Sequence, residues 1–387
     1  MGMQLFTSLA VTAPAVLAPM IALSLGISPK VIGVFATAIY VGSMAGSLLC
    51  GRMIHRYGSI GISQAGIVCV AVGVVPMCSP GWLAWLSPFV IGFGYGPLTP
   101  AASHLLARTV PRKHISLMLS IKQTGVPLGT ALAGVILPTM AAALNWRSAL
   151  YLVACTGLAV ATVVNPARRV LGDSGSSARA RQTEATGAGF AFLAKNPQLA
   201  ELALLGFVYA GTQMGALSYL VVYLVEARGL SLVSAGFALS VAGFAGILGR
   251  VLWGAAADAL FAPRRVLATL GAGAGTFSII IATIGDLTSM PTLLLLCVGL
   301  GITAVGWNGV YLAAIVRHVP ENQVGPVTAT ISIVTFAGVA SGPAGFYLIV
   351  AITENYAAGF VLFGIASLAC GIWLHVRSNP SRHVGMN

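Results

Sequence analysis

The chain has 387 residues, of which 57% are hydrophobic and only 7% charged, and its mean hydropathy is +0.93. A water-soluble globular protein of this composition would expose large apolar patches, so the sequence is that of an integral membrane protein. The net charge of +12 sits in the short connections between apolar runs, where membrane orientation requires it, so the expected partner is the lipid bilayer and not nucleic acid.

The apolar runs are mostly long enough for an α-helix to cross the hydrocarbon, and they lack the short alternation of a porin, so a helical bundle is expected. Twelve spans are expected, near residues 3–25, 31–52, 61–79, 82–107, 115–143, 147–165, 199–225, 231–256, 265–285, 291–316, 324–350 and 354–376. No Lys or Arg precedes Lys30, so the first run lacks a signal peptide's basic n-region and reads as a retained span. The six cysteines lie in or at the ends of apolar runs with no CxxC pair, so they read as small buried hydrophobes, not as metal ligands or disulfides. Residues 166–197, with Arg168, Arg169, Arg179, Arg181, Lys195 and a Gly/Ser/Ala-rich middle, form the one long connection. That linker divides an N-terminal six-helix bundle, 1–165, from a C-terminal one, 198–387. With both termini cytoplasmic, fifteen of the 20 Lys and Arg residues fall on the inner side, three on the outer side (Lys30, Arg147, Arg228), and two, Lys122 and Arg250, inside the membrane.

The two halves echo each other. GRMIHRYG after the second span is answered by GAAADALFAPRR after the eighth, and RTVPRKHI from Arg108 by RHVPENQV from Arg317. Paired six-span repeats are a transporter's construction, with the substrate expected near the midplane. Gly254, Asp258, Arg264 and Arg265 resemble the loop signature G-x-x-x-D followed by basic residues of the major facilitator superfamily. The spans and central linker extend that resemblance over essentially the whole chain. It implies two pseudo-symmetric six-helix bundles and a latch of one conformation made by Gly51, Arg56, Gly254, Asp258 and Arg264. The N-terminal copy departs from the signature, with His55 where the family carries Asp, so Asp258 is the better latch candidate.

A charged side chain at mid-membrane costs about 2.5–3.5 kcal/mol on the insertion scale, so Lys122 and Arg250 require a function or a partner. Lys122 lies eight residues after His114 and Arg250 eight before Asp258, which puts each about 12 Å inside the cytoplasmic boundary. On the fifth span Lys122, Gly125, Gly129 and Ala133 recur at helical spacing, so the lysine shares a face that admits another helix closely and points inward. The GVPLG stretch of this span faintly resembles a Gly/Pro motif of antiporters in the superfamily. Arg250 followed by Gly254 resembles the eighth-span arginine of the superfamily's monocarboxylate and oxalate transporters, where that residue binds the substrate carboxylate. No Asp or Glu lies deep in any expected span: Glu201, Glu226 and Glu354 fall near span ends. The missing anion is then expected to be the substrate, since an unpaired buried charge is too costly to stand alone. An arginine fork suits a carboxylate bidentately, and lysine serves as a compact point charge.

The candidate substrate-binding set is Lys122, Arg250, Gln123, Tyr95, Gln213, Asn308 and Tyr311. Tyr40, Thr99, Tyr209, Ser332 and Thr335 are further polar wall candidates, and His104 is the proton-coupling candidate. Each has a plainer reading. Lys122 could snorkel to the headgroups, Arg250 could pair with Asp258 or cap a helix end, and the polar residues could be helix-packing contacts. The expectation is a secondary active transporter of a small organic anion, with a carboxylate the expected group, working by alternating access as an exchanger or proton-coupled symporter. Efflux of hydrophobic drugs or transport of a neutral solute is the alternative, and a non-transporting membrane sensor a more remote one. No nucleophile and base pair, metal cluster or phosphate loop is present, so neither an enzyme nor any cofactor or metal is expected. A monomer in a bacterial inner membrane completes the expectation.

Overall fold

The computed structural model describes residues 2–79, 81–99, 101, 102, 105, 122–165, 193–284, 289–316 and 324–378. Every described element is helical. In chain order these are α1 (Gly2–Val16), α2 (Ala18–Leu25), α3 (Ile32–Tyr57), α4 (Ser59–Val74), α5 (Leu83–Tyr95), α6 (Gly125–Ala143), α7 (Trp146–Val163), α8 (Pro197–Glu226), α9 (Leu232–Ala259), α10 (Pro263–Thr283), α11 (Met290–Ala304), α12 (Trp307–Val316), α13 (Val324–Thr353) and α14 (Tyr356–Ser378).

Among the described residues ten helical stretches are long and apolar enough to cross a membrane, and eleven if the bent pair α1 and α2 counts as one. The shorter apolar helix α5 lies in the expected fourth span. Each expected span therefore contains an apolar helix, and the protein is a multi-pass integral membrane protein. The outward-facing side chains agree: Leu204, Leu248, Val251, Leu295 and Ile352 are all more than half exposed, which suits lipid and not water. Cys155 also lies on an exposed face, that of α7, so it is not the buried cysteine its apolar run suggested.

Three spans depart from the continuous helices their hydropathy suggests. The first bends by 56° at Leu17, because Pro19 at the start of α2 supplies no N–H and crowds the preceding turn. The fourth leaves its helix at the Gly96–Pro97 turn. The tenth breaks at Val305 and Gly306 between α11 and α12, a feature periodicity cannot signal because both sides stay apolar.

The chain divides into two compact units: Met1–Ala180 with Ser218–Ser240, and Arg181–Leu217 with Val241–Asn387. In the first, α1 packs along α6, with Ser8 Oγ donating to the Val126 carbonyl at 2.7 Å and Thr12 sharing a hydrogen bond with Thr130 at 3.3 Å. The start of α9 crosses α6 where Gly134 faces Gly236. A Cβ on Gly134 would come within 3.1 Å of the Ser240 nitrogen and nearer still to the Gly236 oxygen. Ser240 Oγ donates to the Ala131 carbonyl at 2.6 Å across this crossing, the small-residue packing that lets membrane helices approach. Tyr219 adds a second tie to this unit, donating to the Lys30 carbonyl at 2.6 Å and accepting from the Gly33 N–H at 3.0 Å. Gly134→Val should destabilise the protein by roughly 1–3 kcal/mol through overpacking, whereas Ser240→Ala should cost only about 0.6 kcal/mol. Thermal unfolding of the purified variants checks the order.

In the second unit α10 and α14 pack through small residues: Ser367 Oγ donates to the Gly271 carbonyl at 2.9 Å, and a Cβ on Gly275 would meet the Leu368 nitrogen at 2.6 Å. The core there gathers Leu199, Leu205, Tyr209, Leu267, Trp307 and Tyr311.

Candidate substrate site

Lys122 stands one turn ahead of α6, in residues already helical, and is 5% exposed. The residues on its face, Gly125, Gly129 and Ala133, are buried as well. Its Nζ donates to the Thr99 carbonyl at 3.3 Å. An ammonium has three donors, and among the described residues this carbonyl is its only partner, with no carboxylate paired to it. Gln123, the next residue, falls on an exposed face, and Tyr95 is half-buried near the end of α5. His104 lies outside the described residues.

In the second unit the sequence-derived candidates gather around a residue that the sequence reading passed over. Trp307, 2% exposed, opens α12 just after the break, and its indole N–H donates to Gln213 Oε1 at 2.9 Å. The ring packs edge-on against Tyr209 and Tyr311, with centroids 5.9 and 5.0 Å away. Tyr209 donates to the Leu267 carbonyl at 2.9 Å, and Tyr311 shares a hydrogen bond with Thr335 at 3.3 Å. Gln213 and Tyr311 are thus brought together, with Asn308 half-buried beside Trp307. Indole donates only, so it fixes the carbonyl end of the Gln213 amide. The signal available in sequence was a Gly-Trp-Asn run inside an apolar span, where a polar pair beside a glycine marks a break. Trp307→Phe keeps the ring contacts but strands Gln213 Oε1, and should cost about 1–3 kcal/mol in thermal unfolding while Gln213→Leu in that background recovers part of it.

Arg250 on α9 is half-buried and its Nε donates to the Val305 carbonyl at 3.2 Å. This is the carbonyl at the end of α11, so the guanidinium braces the broken tenth span, the helix-end role that sequence left open beside the substrate role. The second unit also contains an ion pair unforeseen in sequence. Arg264 reaches both carboxylate oxygens of Glu201, and the side chains are 25% and 6% exposed respectively. Glu201 lies one turn into α8, near the span end as expected, and is buried there. Of the other latch candidates, Gly51 lies in α3 and Gly254 in α9, where a Cβ on Gly254 would meet nothing within 4 Å. The side chains of Arg56 and Asp258 lie outside the described residues. No group of His, Cys, Asp and Glu among the described residues could hold a metal ion.

The sequence profile of the Major Facilitator Superfamily matches residues 1–343. The chain belongs to that superfamily. Among superfamily relatives it is 24% identical over 390 residues to the hexuronate transporter of Bacillus subtilis, covering 92% of this chain and 89% of that one. It is 26% identical over 312 residues to the 4-hydroxybenzoate transporter PcaK of Pseudomonas aeruginosa, covering 72% and 69%. Among solved structures, a POT family transporter in complex with 5-aminolevulinic acid superposes with a TM-score of 0.76 at 16% identity, over 97% of this chain and 94% of that one. At that identity the likeness concerns the fold alone.

Proposed function

We propose that this superfamily member is a secondary active transporter of a small organic carboxylate. The observation that carries the reading is the buried Lys122 ammonium, which meets only a backbone carbonyl among the described residues. A carboxylate oxygen supplies the negative charge that a carbonyl cannot, and charge-assisted hydrogen bonds are about twice as strong as neutral ones. The relatives named for hexuronate and 4-hydroxybenzoate support the same cargo class, since both names denote carboxylates at neutral pH.

In this reading Lys122 and Arg250 bind the carboxylate, with Gln213, Asn308, Tyr311, Tyr95 and Gln123 as neutral contacts. Transport proceeds by alternating access of the halves 1–165 and 198–387, joined by the linker 166–197, as anion exchange or as symport with a proton on substrate, His104 or Lys122. Gly51, Arg56, Gly254, Asp258 and Arg264 form the latch. The protein works as a monomer in a bacterial inner membrane with both termini cytoplasmic.

The testing experiment is uptake into proteoliposomes of 4-hydroxybenzoate, gentisate and D-glucuronate, each against its neutral amide. Saturable uptake of an acid but not of its amide is the expected result. Equal handling of acid and amide, or transport of neutral hydrophobic drugs alone, overturns the anion assignment.

A further inference from the structure

The α1 and α6 segments run side by side in one register. Ser8 bonds Val126 at 2.7 Å and Thr130 at 3.4 Å, and Thr12 bonds Thr130 at 3.3 Å, so position n of α1 lies within a turn of positions n + 118 to n + 122 of the fifth span, in the same direction. One turn earlier, that register sets Gln4 within a turn of Lys122 along the two helices. The faces agree as well: Gln4, Ser8 and Thr12 form one i, i+4 stripe, as do Lys122, Val126 and Thr130, and Ser8 and Thr12 prove that the α1 stripe looks at α6. The two helices lie close, because a Cβ on Gly129 would come within 2.7 Å of Ser8 Cβ and 3.0 Å of the Leu9 nitrogen.

Gln4 is 3% exposed, and its amide nitrogen is sealed from the surface with no hydrogen-bond partner among the described residues. A buried amide without a partner costs about 1–3 kcal/mol, so its retention in a span needs a reason. Among the described residues, Lys122 holds only the Thr99 carbonyl. Two adjacent helices therefore present, within a turn of each other, an amide N–H₂ with no acceptor and an ammonium with one carbonyl acceptor for its three donors, among the described residues. The deficit is of acceptors alone, and a carboxylate has two oxygens that only accept.

Resting on the reading of Lys122 as an anion ligand, we propose that Gln4 is the second ligand of the same carboxylate, its Nε2 donating to one oxygen while Lys122 Nζ binds the other. The first helix thereby contributes directly to substrate selectivity: Gln4 favours a two-oxygen anion over a halide of equal charge, which Lys122 alone would not distinguish.

The test is thermal-shift and direct binding titration of the full chain in detergent with 4-hydroxybenzoate, gentisate, D-glucuronate and chloride, for the wild type, Gln4→Met, Gln4→Glu, Lys122→Gln and the Gln4→Met/Lys122→Gln double variant. Methionine matches the volume of glutamine without its donors. Expected are a Kd for the preferred carboxylate raised about 10-fold in Gln4→Met, no measurable binding in Gln4→Glu, and a double variant scarcely worse than Lys122→Gln, as two ligands of one group require. Weakened binding in Lys122→Gln with an unchanged Kd in Gln4→Met overturns the role of Gln4 and leaves the anion reading standing. Unchanged binding in Lys122→Gln, or a wild type indifferent to all three carboxylates, overturns both. A Gln4→Met loss equal for carboxylate and chloride assigns Gln4 to packing and overturns the proposal, and Gln4→Glu separates these cases because it keeps the side chain's shape.

Discussion

Lys122→Gln should lower carboxylate uptake by about 10- to 100-fold and, in the absence of substrate, make the purified protein more resistant to heat. The first effect follows from losing a charge-assisted contact to a desolvated anion, worth about 1.5–3 kcal/mol. The second follows from the empty state, in which the ammonium of a lysine that is 5% exposed has, among the described residues, a single carbonyl acceptor, so a neutral side chain relieves a desolvation penalty. Opposite signs in transport and stability identify a group kept for its ligand. A structural lysine would move both downward together. Proteoliposome uptake and a melting curve on one preparation are sufficient, and Lys122→Arg adds a discriminating arm: the planar fork does not occupy the space of a compact ammonium, so uptake should fall although the charge remains.

Arg264→Leu should destabilise the protein by roughly 3–5 kcal/mol, while Glu201→Gln should cost clearly less. The ion pair is asymmetric in its burial, 6% exposure for the glutamate side chain against 25% for the arginine. Removing the arginine strands a carboxylate away from water, and breaking a buried pair from that side carries the larger penalty. Removing the glutamate's charge leaves a guanidinium that still reaches solvent and still faces an amide oxygen. The double variant Arg264→Leu/Glu201→Leu should regain much of the loss, since no buried charge is left behind. Denaturation midpoints of the three variants in one detergent check the order, and equal losses in both single variants would contradict it.

Most of the fold was legible in the sequence because a bilayer solvent leaves few choices. Apolar length sets the spans, basic residues set their connections, and proline and glycine punctuate them. What escaped were the interruptions, at Leu17 and at Val305 and Gly306, where the backbone turns while hydropathy stays constant. The site was legible where charge stood out: Lys122 and Arg250 are conspicuous against apolar neighbours. Its uncharged members were harder to read, since Gln213 and Tyr311 could be picked only as polar residues in spans. Trp307 was passed over because a tryptophan in a membrane helix reads as packing until its N–H is seen on the Gln213 oxygen. Glu201 does lie near a span end, but its pairing was not legible, because distance from a span's end measures depth along the helix whereas burial depends on which neighbour covers it, here Arg264 from the start of α10. Gln4 escaped for a related reason: only the packing of α1 shows its amide nitrogen buried with no hydrogen-bond partner among the described residues.

The crossing of α6 and α9 also restricts what variation the chain can bear. At Gly134 and Gly236 an added Cβ would meet the carbonyl oxygen of the facing glycine, backbone that no change of rotamer can move aside. A library randomised at Gly134 and selected for function should return glycine almost alone, while one at Ser240 should return serine and alanine, each small enough for the crossing. Sequence drift in this protein is then confined by the empty space that two hydrogen atoms occupy.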